Sequence, residues 1–280
     1  MTAFRHVCRC PAVLMLLLLT MAGYAQAQPA QKPYEPQPYQ DGKDVIWLPT
    51  PQAVVNKMLD LGQVTAKDFV IDLGSGDGRT VITAAKRGAR GLGIEYNPDM
   101  VEYSNRAAKT AGVADKVKFI KADLFETDFN EATVVTMYLL SSLNLKLRPK
   151  ILDLKPGTRV VSHAFDMGEW KADRTETVEG KTAYLWIVPA KVAGVWQLPQ
   201  GELTLKQGFQ TVEGALKSGD RVTPIRNGRL RGDHLSFNAG GADYSGRVNG
   251  NRIDGTVKGS TSGSWTASLR AGDPVSAPKN

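Results

Sequence analysis

Cysteine is absent from residue 11 onward. The two cysteines of this 280-residue chain, Cys8 and Cys10, lie in a stretch with the pattern of a leader. Arg5 and Arg9 make a positive start, and Ala12 to Ala22 is apolar with only Thr20 interrupting. Ala25-Gln26-Ala27 then offers a small-x-small cleavage site. That pattern predicts a secretory signal peptide over 1–27. The apolar run is short for a bilayer span, and an uncleaved anchor is the alternative. A chain cut there has no thiol, which excludes disulfides, thiol nucleophiles and cysteine-ligated zinc. It suits an oxidising compartment, and the expected address is periplasmic or secreted.

Other signals are missing as well. The net charge of +7 is modest, and the basic residues are scattered, apart from a group at Lys146, Arg148, Lys150 and Lys155. No basic stretch is interleaved with aromatics, so no nucleic-acid partner is expected. No metal-ligand set is read. Gly-x-Ser-x-Gly is absent, and Ser75 has no His/Asp set around it, so Ser75 reads as a turn residue rather than a nucleophile. The dinucleotide fingerprint Gly-x-Gly-x-x-Gly fails as well. Gly74 and Gly76 fit, but the third position is Arg79.

What is present is the run Val70-Ile71-Asp72-Leu73-Gly74-Ser75-Gly76-Asp77-Gly78-Arg79. An apolar strand ends on an acid, turns through alternating glycines and enters an amphipathic helix over Thr80–Arg87. Glycines there let the backbone approach a ligand closely. The helix start favours a carboxylate or phosphate. Asp72 and Asp77 would repel a diphosphate. They suit a ligand with a cationic centre and an amino group, as in S-adenosylmethionine, which has a sulfonium, an ammonium and a carboxylate. Glu95 ends a second apolar strand and is placed to accept from both ribose hydroxyls. Asp123 follows a third strand and is placed to accept from the adenine amino group. Thr50 caps a helix that has Pro51 at its first position, and it is also a candidate cofactor contact.

These residues resemble a class I, seven-strand S-adenosylmethionine-dependent methyltransferase. The chain is similar within that class to protein-lysine methyltransferases of the mitochondrial type, which act on ATP synthase and the adenine nucleotide translocase. The resemblance runs from about Asp44 to Val188. Beyond the glycine segment it includes Leu48-Pro49-Thr50-Pro51, Tyr138-Leu139-Leu140-Ser141-Ser142-Leu143-Asn144 and Gly157-Thr158-Arg159-Val160-Val161-Ser162. The Asn/Asp-Pro-Pro-Tyr motif of several other amino-group methyltransferases is missing, and Leu140 to Leu143 stand about where it would be. The resemblance implies Thr50, Asp72, Gly74, Gly76, Gly78, Glu95 and Asp123 as cofactor-binding residues. It implies a protein lysine as methyl acceptor, and the basic group at Lys146, Arg148, Lys150 and Lys155 together with the leader leaves an envelope or membrane-associated partner as a further expectation. Tyr138 is the candidate catalytic residue, with His163 and Asp166 as further candidates.

The expected organisation is a signal peptide (1–27), a Pro/Gln-rich tether (28–43), a methyltransferase domain (44–190), a β-rich domain (191–270) and a flexible tail (271–280). Alternating strands and helices predict an α/β, Rossmann-like sheet covered on both faces. Gly180-Lys181 reads as the turn of its antiparallel edge hairpin. Pro149 is expected to kink or restart the helix over Leu143–Leu154. The later segment predicts a small antiparallel sandwich or barrel, with turns at Ser218-Gly219, Asn227-Gly228, Asn249-Gly250 and Asp254-Gly255. Two other functions stay open: an exported non-catalytic binding protein that retains the fold, and a methyltransferase of a small molecule or lipid.

Overall fold

The computed structural model describes residues 1–2 and 32–270. The expected signal peptide and C-terminal tail lie outside the described residues. Tyr39 to Trp47 folds back as a small hairpin. The Tyr39 N–H donates to the Trp47 carbonyl at 3.0 Å, and the Trp47 N–H donates to the Gln40 carbonyl at 2.9 Å.

A seven-stranded sheet follows. In chain order its elements are α1 (Gln52–Leu61), β1 (Phe69–Leu73), α2 (Arg79–Lys86), β2 (Arg90–Glu95), α3 (Pro98–Thr110) and β3 (Val117–Lys121). Then come β4 (Val134–Met137), α4 (Ser141–Leu152), β5 (Arg159–His163), β6 (Arg174–Val178) and β7 (Lys181–Ile187). The strand order is β3-β2-β1-β4-β5-β7-β6. The first five run parallel, β7 is antiparallel to β5, and the β6–β7 hairpin closes the edge. Alternate residues of β1 serve opposite faces, as the two-residue period of a strand requires. Val70 joins Val55, Leu59 and Ala84 from α1 and α2. Ile71 and Leu73 join Leu147 and Ile151 of α4, together with Trp170 and Trp186.

Two local expectations are corrected here. Thr50 does not cap α1. Pro51 is the cap residue, no side chain caps the helix, and the Thr50 hydroxyl lies 3.2 Å from His163 Nδ1. Pro149 does not restart the helix, since α4 runs through it as one element. Leu147 and Ile151, both buried in the core, hold the turn that Pro149 deprives of a hydrogen bond.

The C-terminal segment is a closed barrel. Its strands are β8 (Gly194–Leu198), β9 (Gly201–Gly208), β10 (Thr211–Ser218), β11 (Arg221–Pro224) and β12 (Arg226–Arg231). They continue with β13 (His234–Ala239), β14 (Ala242–Asn249), β15 (Arg252–Gly259) and β16 (Gly263–Leu269). Eight of them form the ring β10-β12-β13-β14-β15-β16-β8-β9, closed by pairing of β9 with β10, and β11, separated from β12 by Ile225 alone, pairs along the same edge of β10 as β12. Closure removes unpaired edges. Two turn expectations are corrected as well. Asn227-Gly228 is an irregularity inside β12, where the register shifts and Asn227 takes φ 52°. Gly255 is paired within β15, opposite Gly246.

One aromatic side chain ties the barrel to the sheet. Phe209, in the β9–β10 turn, is buried in the α/β core and stacks on Trp170 with ring centroids 6.0 Å apart. The buried Gln207 side chain donates to the carbonyls of Ala190 and Phe209 and accepts from the Val192 N–H, which ties the turn to the segment entering the barrel. Arg229 pairs with Asp173 at 2.8 Å, and Gln210 donates to the Lys171 carbonyl at 2.7 Å. Truncating Phe209 to Ala removes a ring from a packed site and should cost about 3 kcal/mol. Chemical denaturation of the wild type and F209A measures it.

Candidate functional site

The carboxyl edges of β1, β2 and β4 meet the N-terminal hairpin around one cavity. It is lined by Trp47, Thr50, Asp72, Gly74, Ser75 and Asp77 on one part of its wall. Glu95, Tyr96, Asp123, Tyr138, Leu140 and Phe165 line another part. No lining residue comes from the barrel.

The glycine turn shapes this edge. Gly78 takes φ +78° at the start of α2, and a Cβ there would stand 2.7 Å from the Phe119 ring. At Gly76 (φ +53°) a Cβ would meet the Trp47 indole nitrogen at 2.3 Å. The indole is therefore seated directly on the turn. Gly74 also takes a positive φ and backs onto Leu139. Asp72 lies across from Gly93 on β2 and Thr136 on β4. Its carboxylate accepts from the Thr136 hydroxyl at 2.6 Å. Burial pushes its pKa up to about 7, and the charges of Asp77 and Glu95 add to the rise, against hydrogen bonds from Thr136 and Thr80. Arg79 does not relieve this. Its guanidinium is engaged by Asp77 and by the Thr50 carbonyl.

Glu95 accepts from the Gly76 N–H and from the Asn97 N–H, each at 2.9 Å, which pins the turn to the end of β2. Each carboxylate oxygen keeps a further acceptor lone pair. Asp123 accepts from the Phe125 N–H at 2.9 Å and is bonded to Lys43, whose ammonium also lies 4.9 Å from the Tyr96 ring centroid. The Lys43 hydrogen bond holds the Asp123 carboxyl below its usual range. Lys43, Trp47 and Tyr96 are missed by sequence reasoning. The two hairpin residues sit in a short stretch without helical or strand period, and their contacts reach across distant sequence.

Tyr138 follows β4. Its ring lies 3.9 Å, centroid to centroid, from His163 and 6.1 Å from Phe165. Burial raises its pKa. His163 is buried, with Nδ1 facing Thr50 and Nε2 lacking a hydrogen-bond partner. Burial, aided by Lys181, lowers its pKa to about 4, so the ring is neutral near pH 7. Asp166 is exposed and accepts from the Gly168 N–H.

S-adenosylmethionine fits this donor set. A buried carboxylate beside two others is the place for a cationic group. The Ser75 hydroxyl, buried without a partner, is a spare polar contact on the turn. The α2 start offers N–H groups to a carboxylate. Asp72, Ser75 and the glycine turn would hold the amino-acid end, and Glu95 and Asp123 the nucleoside end.

Comparison with known proteins agrees. A family model described as the ANTKMT methyltransferase domain matches residues 72–174. A protein-lysine N-methyltransferase of Saccharolobus islandicus (strain REY15A) is 41% identical over 151 residues, which is 51% of this chain and 94% of that protein. The adenine nucleotide translocase lysine N-methyltransferase of Mus musculus is 35% identical over 104 residues, covering 36% of this chain and 45% of that protein. A crystal structure described as an RNA methyltransferase from Salinibacter ruber in complex with S-adenosyl-L-homocysteine is 56% identical, with a TM-score of 0.51. It covers 52% of this chain and 96% of that one. The chain belongs to this family of S-adenosylmethionine-dependent methyltransferases. It is a methyltransferase sheet with a closed β-barrel following it.

The buried acid has a measurable signature. The folded value of Asp72 lies above its ordinary 3.8, so the folded state keeps a proton that the unfolded state releases. Its stabilising contribution is present below about pH 4 and is lost as pH rises through about 7. Asp72→Asn should therefore raise the melting temperature of the ligand-free protein at pH 8 more than at pH 5. The same change removes the countercharge to the cofactor and should weaken binding about 10–100-fold. Thermal melts at the two pH values, with calorimetry alongside, test both halves.

Proposed function

We propose that this methyltransferase acts on a protein lysine amine. The observation that carries the reading is the wall around Tyr138. Tyr138, Leu139, Leu140, Leu143 and Phe165 line the cavity beyond the acidic edge and bring no charge. Ile46, Leu48, Tyr96 and Leu140, large apolar side chains left exposed, stand around the same opening. An apolar passage admits the aliphatic stem of lysine and desolvates its amine, lowering its pKa toward the neutral form that can attack. The names of the Saccharolobus and mouse relatives support a lysine acceptor. The Salinibacter structure is described as an RNA methyltransferase, but exposed apolar residues around the opening favour a protein segment over a polyanion.

When bound, the cofactor supplies an electrophilic methyl group that needs no further activation. The chain's own task is alignment and exclusion of water. Asp72, Glu95 and Asp123 serve as cofactor contacts in this reading, with the backbone of Gly74 at close approach and Thr50 at the end near His163, whereas Gly76, under the Trp47 indole, and Gly78, against Phe119, shape the turn without lining the cavity. Tyr138 is held by the neutral His163 ring and presents its hydroxyl to the incoming amine.

Calorimetry with S-adenosylmethionine should give micromolar binding that weakens at least tenfold in Glu95→Ala, with NAD failing to bind, as expected for loss of a charged hydrogen bond. Tyr138→Phe should leave cofactor affinity unchanged and lower kcat/KM toward a lysine-bearing protein by about tenfold. Methylation of RNA but not protein in a mixed acceptor assay would refute the lysine acceptor.

The proposal includes export and a partner in the cell envelope. It rests on the leader pattern of residues 1–27 and its cleavage site. Mass spectrometry of a periplasmic fraction should find a mature N-terminus at Gln28. Intact Met1 confined to the cytoplasm would overturn it.

A further inference from the structure

The barrel has two unlike ends. The turns β9–β10 and β12–β13 face the sheet. Phe209 and Gln210 of the first are docked there, and Gly232 of the second lies against Gly157. Strands alternate in direction around an up-and-down barrel. The turns β8–β9, β10–β11, β13–β14 and β15–β16 therefore gather at the opposite end, pointing away from the methyltransferase sheet. These turns surround a hollow of about 680 Å³, in the size range of small-molecule sites (about 300–1,000 Å³).

The hollow follows from side-chain size. Trp196, Leu205, Val212, Leu230, Leu235 and Ile253 are buried in the barrel interior. Toward the open end the inward positions are small, with Ala239 and Ala242 facing the hollow beside Gly201, Gly240 and Gly263. A barrel whose taper is not filled by side chains leaves room for a ligand. Leu198, Leu216, Val257, Tyr244 and Trp265 make its apolar wall. Tyr244 and Trp265 meet edge to face at 5.8 Å, and the Trp265 Nε1–H donates to the Thr256 carbonyl at 3.1 Å, which fixes both rings.

The rim has the opposite character. Ser218, Thr223, Ser260, Thr261, Ser262 and Ser264 bring hydroxyls, and Arg221, opposite Ser218 in the ladder, brings charge. No carboxylate lines the hollow. Arg221 makes no ion pair among the described residues. Lys217, opposite Glu202 and one residue out of phase with the inward pair Leu216 and Leu203, belongs to the outer face of the barrel.

We infer that the open end of the barrel binds a small amphiphilic anion, with an apolar tail against Tyr244 and Trp265 and an anionic head at Arg221 and the hydroxyls around it. This site is separate from the methyltransferase cavity and takes a different chemistry. The shared feature is an anionic head on a short apolar tail, and the head is either a carboxylate or a phosphate.

Calorimetry on the full chain tests it, using octanoate, octyl phosphate, octanol, octyltrimethylammonium and inorganic phosphate as probes below micelle formation. The expected result is saturable one-to-one binding of at least one octyl anion, with octanol, the cation and inorganic phosphate each at least tenfold weaker. The two anions distinguish a carboxylate from a phosphate source. Arg221→Gln should weaken the anion about tenfold, and Ala242→Trp should fill the hollow and abolish binding. S-adenosylmethionine affinity unchanged in each variant shows that the fold and the first site persist. No binding of either anion overturns the inference, as does binding that survives Ala242→Trp in a folded variant. Octanol equal to octanoate, or inorganic phosphate equal to octyl phosphate, also overturns it.

Discussion

The site depends on a carboxylate held almost wholly out of water. Asp72 ends β1 between Gly93 and Thr136, and it is pressed by the fields of Asp77 and Glu95. Burying a charge in this way is costly unless a counterion or hydrogen bonds offset it. The Thr136 and Thr80 hydroxyls offset part of it, and Arg79 none, being turned toward Asp77 and the Thr50 carbonyl. The remainder is an electrostatic demand for a cation at the edge of the sheet. A positively charged methyl donor meets that demand, whereas a diphosphate would add to the repulsion. The fold positions this group because a parallel sheet places the ends of β1, β2 and β4 together and the glycine turn leaves the space beside them open.

Much of this was legible along the chain because it is local. Asp72, the three glycines, Glu95 and Asp123 each follow an apolar run of strand length, and strand ends in a parallel sheet share one edge. The cap at Asn97 with Pro98 after it is equally local, and the structure shows its side chain accepting from the Asp99 N–H. What escaped is long-range. Thr50 looks like a cap because it precedes Pro51, but His163, 113 residues away, takes its hydroxyl. Trp47 and Lys43 reach the glycine turn and Asp123 only because the chain doubles back before α1. β12 was hidden because its six residues carry three arginines and one buried side chain, Leu230, with a bulge where Asn227-Gly228 imitates a hairpin turn.

The barrel's relation to the sheet could not be read from period or composition. Its strands announce themselves by alternation, but alternation does not tell a sandwich from a closed ring. The pairing of β9 with β10 decides that. Phe209 is a turn residue by position and a core residue of the neighbouring layer by packing, which no local pattern distinguishes from an exposed loop aromatic.

The docking geometry also separates the two halves functionally. Gly157 and Ala190, which meet Gly232 of the barrel, flank the amino end of β5, whereas Tyr138 and His163 stand at the carboxyl ends of β4 and β5. The barrel thus sits at the opposite edge of the sheet from the cavity and contributes nothing to its wall. An appended module that neither closes the site nor lines it does not act by covering the cofactor. The exposed apolar side chains around the methyl-transfer opening stay available to an acceptor while the barrel is docked. Stacking of Phe209 on Trp170, with Gln207 satisfying the backbone of the same turn, holds the barrel in that place. Whatever the barrel's open end engages is therefore carried at a fixed distance and direction from the methyltransferase site.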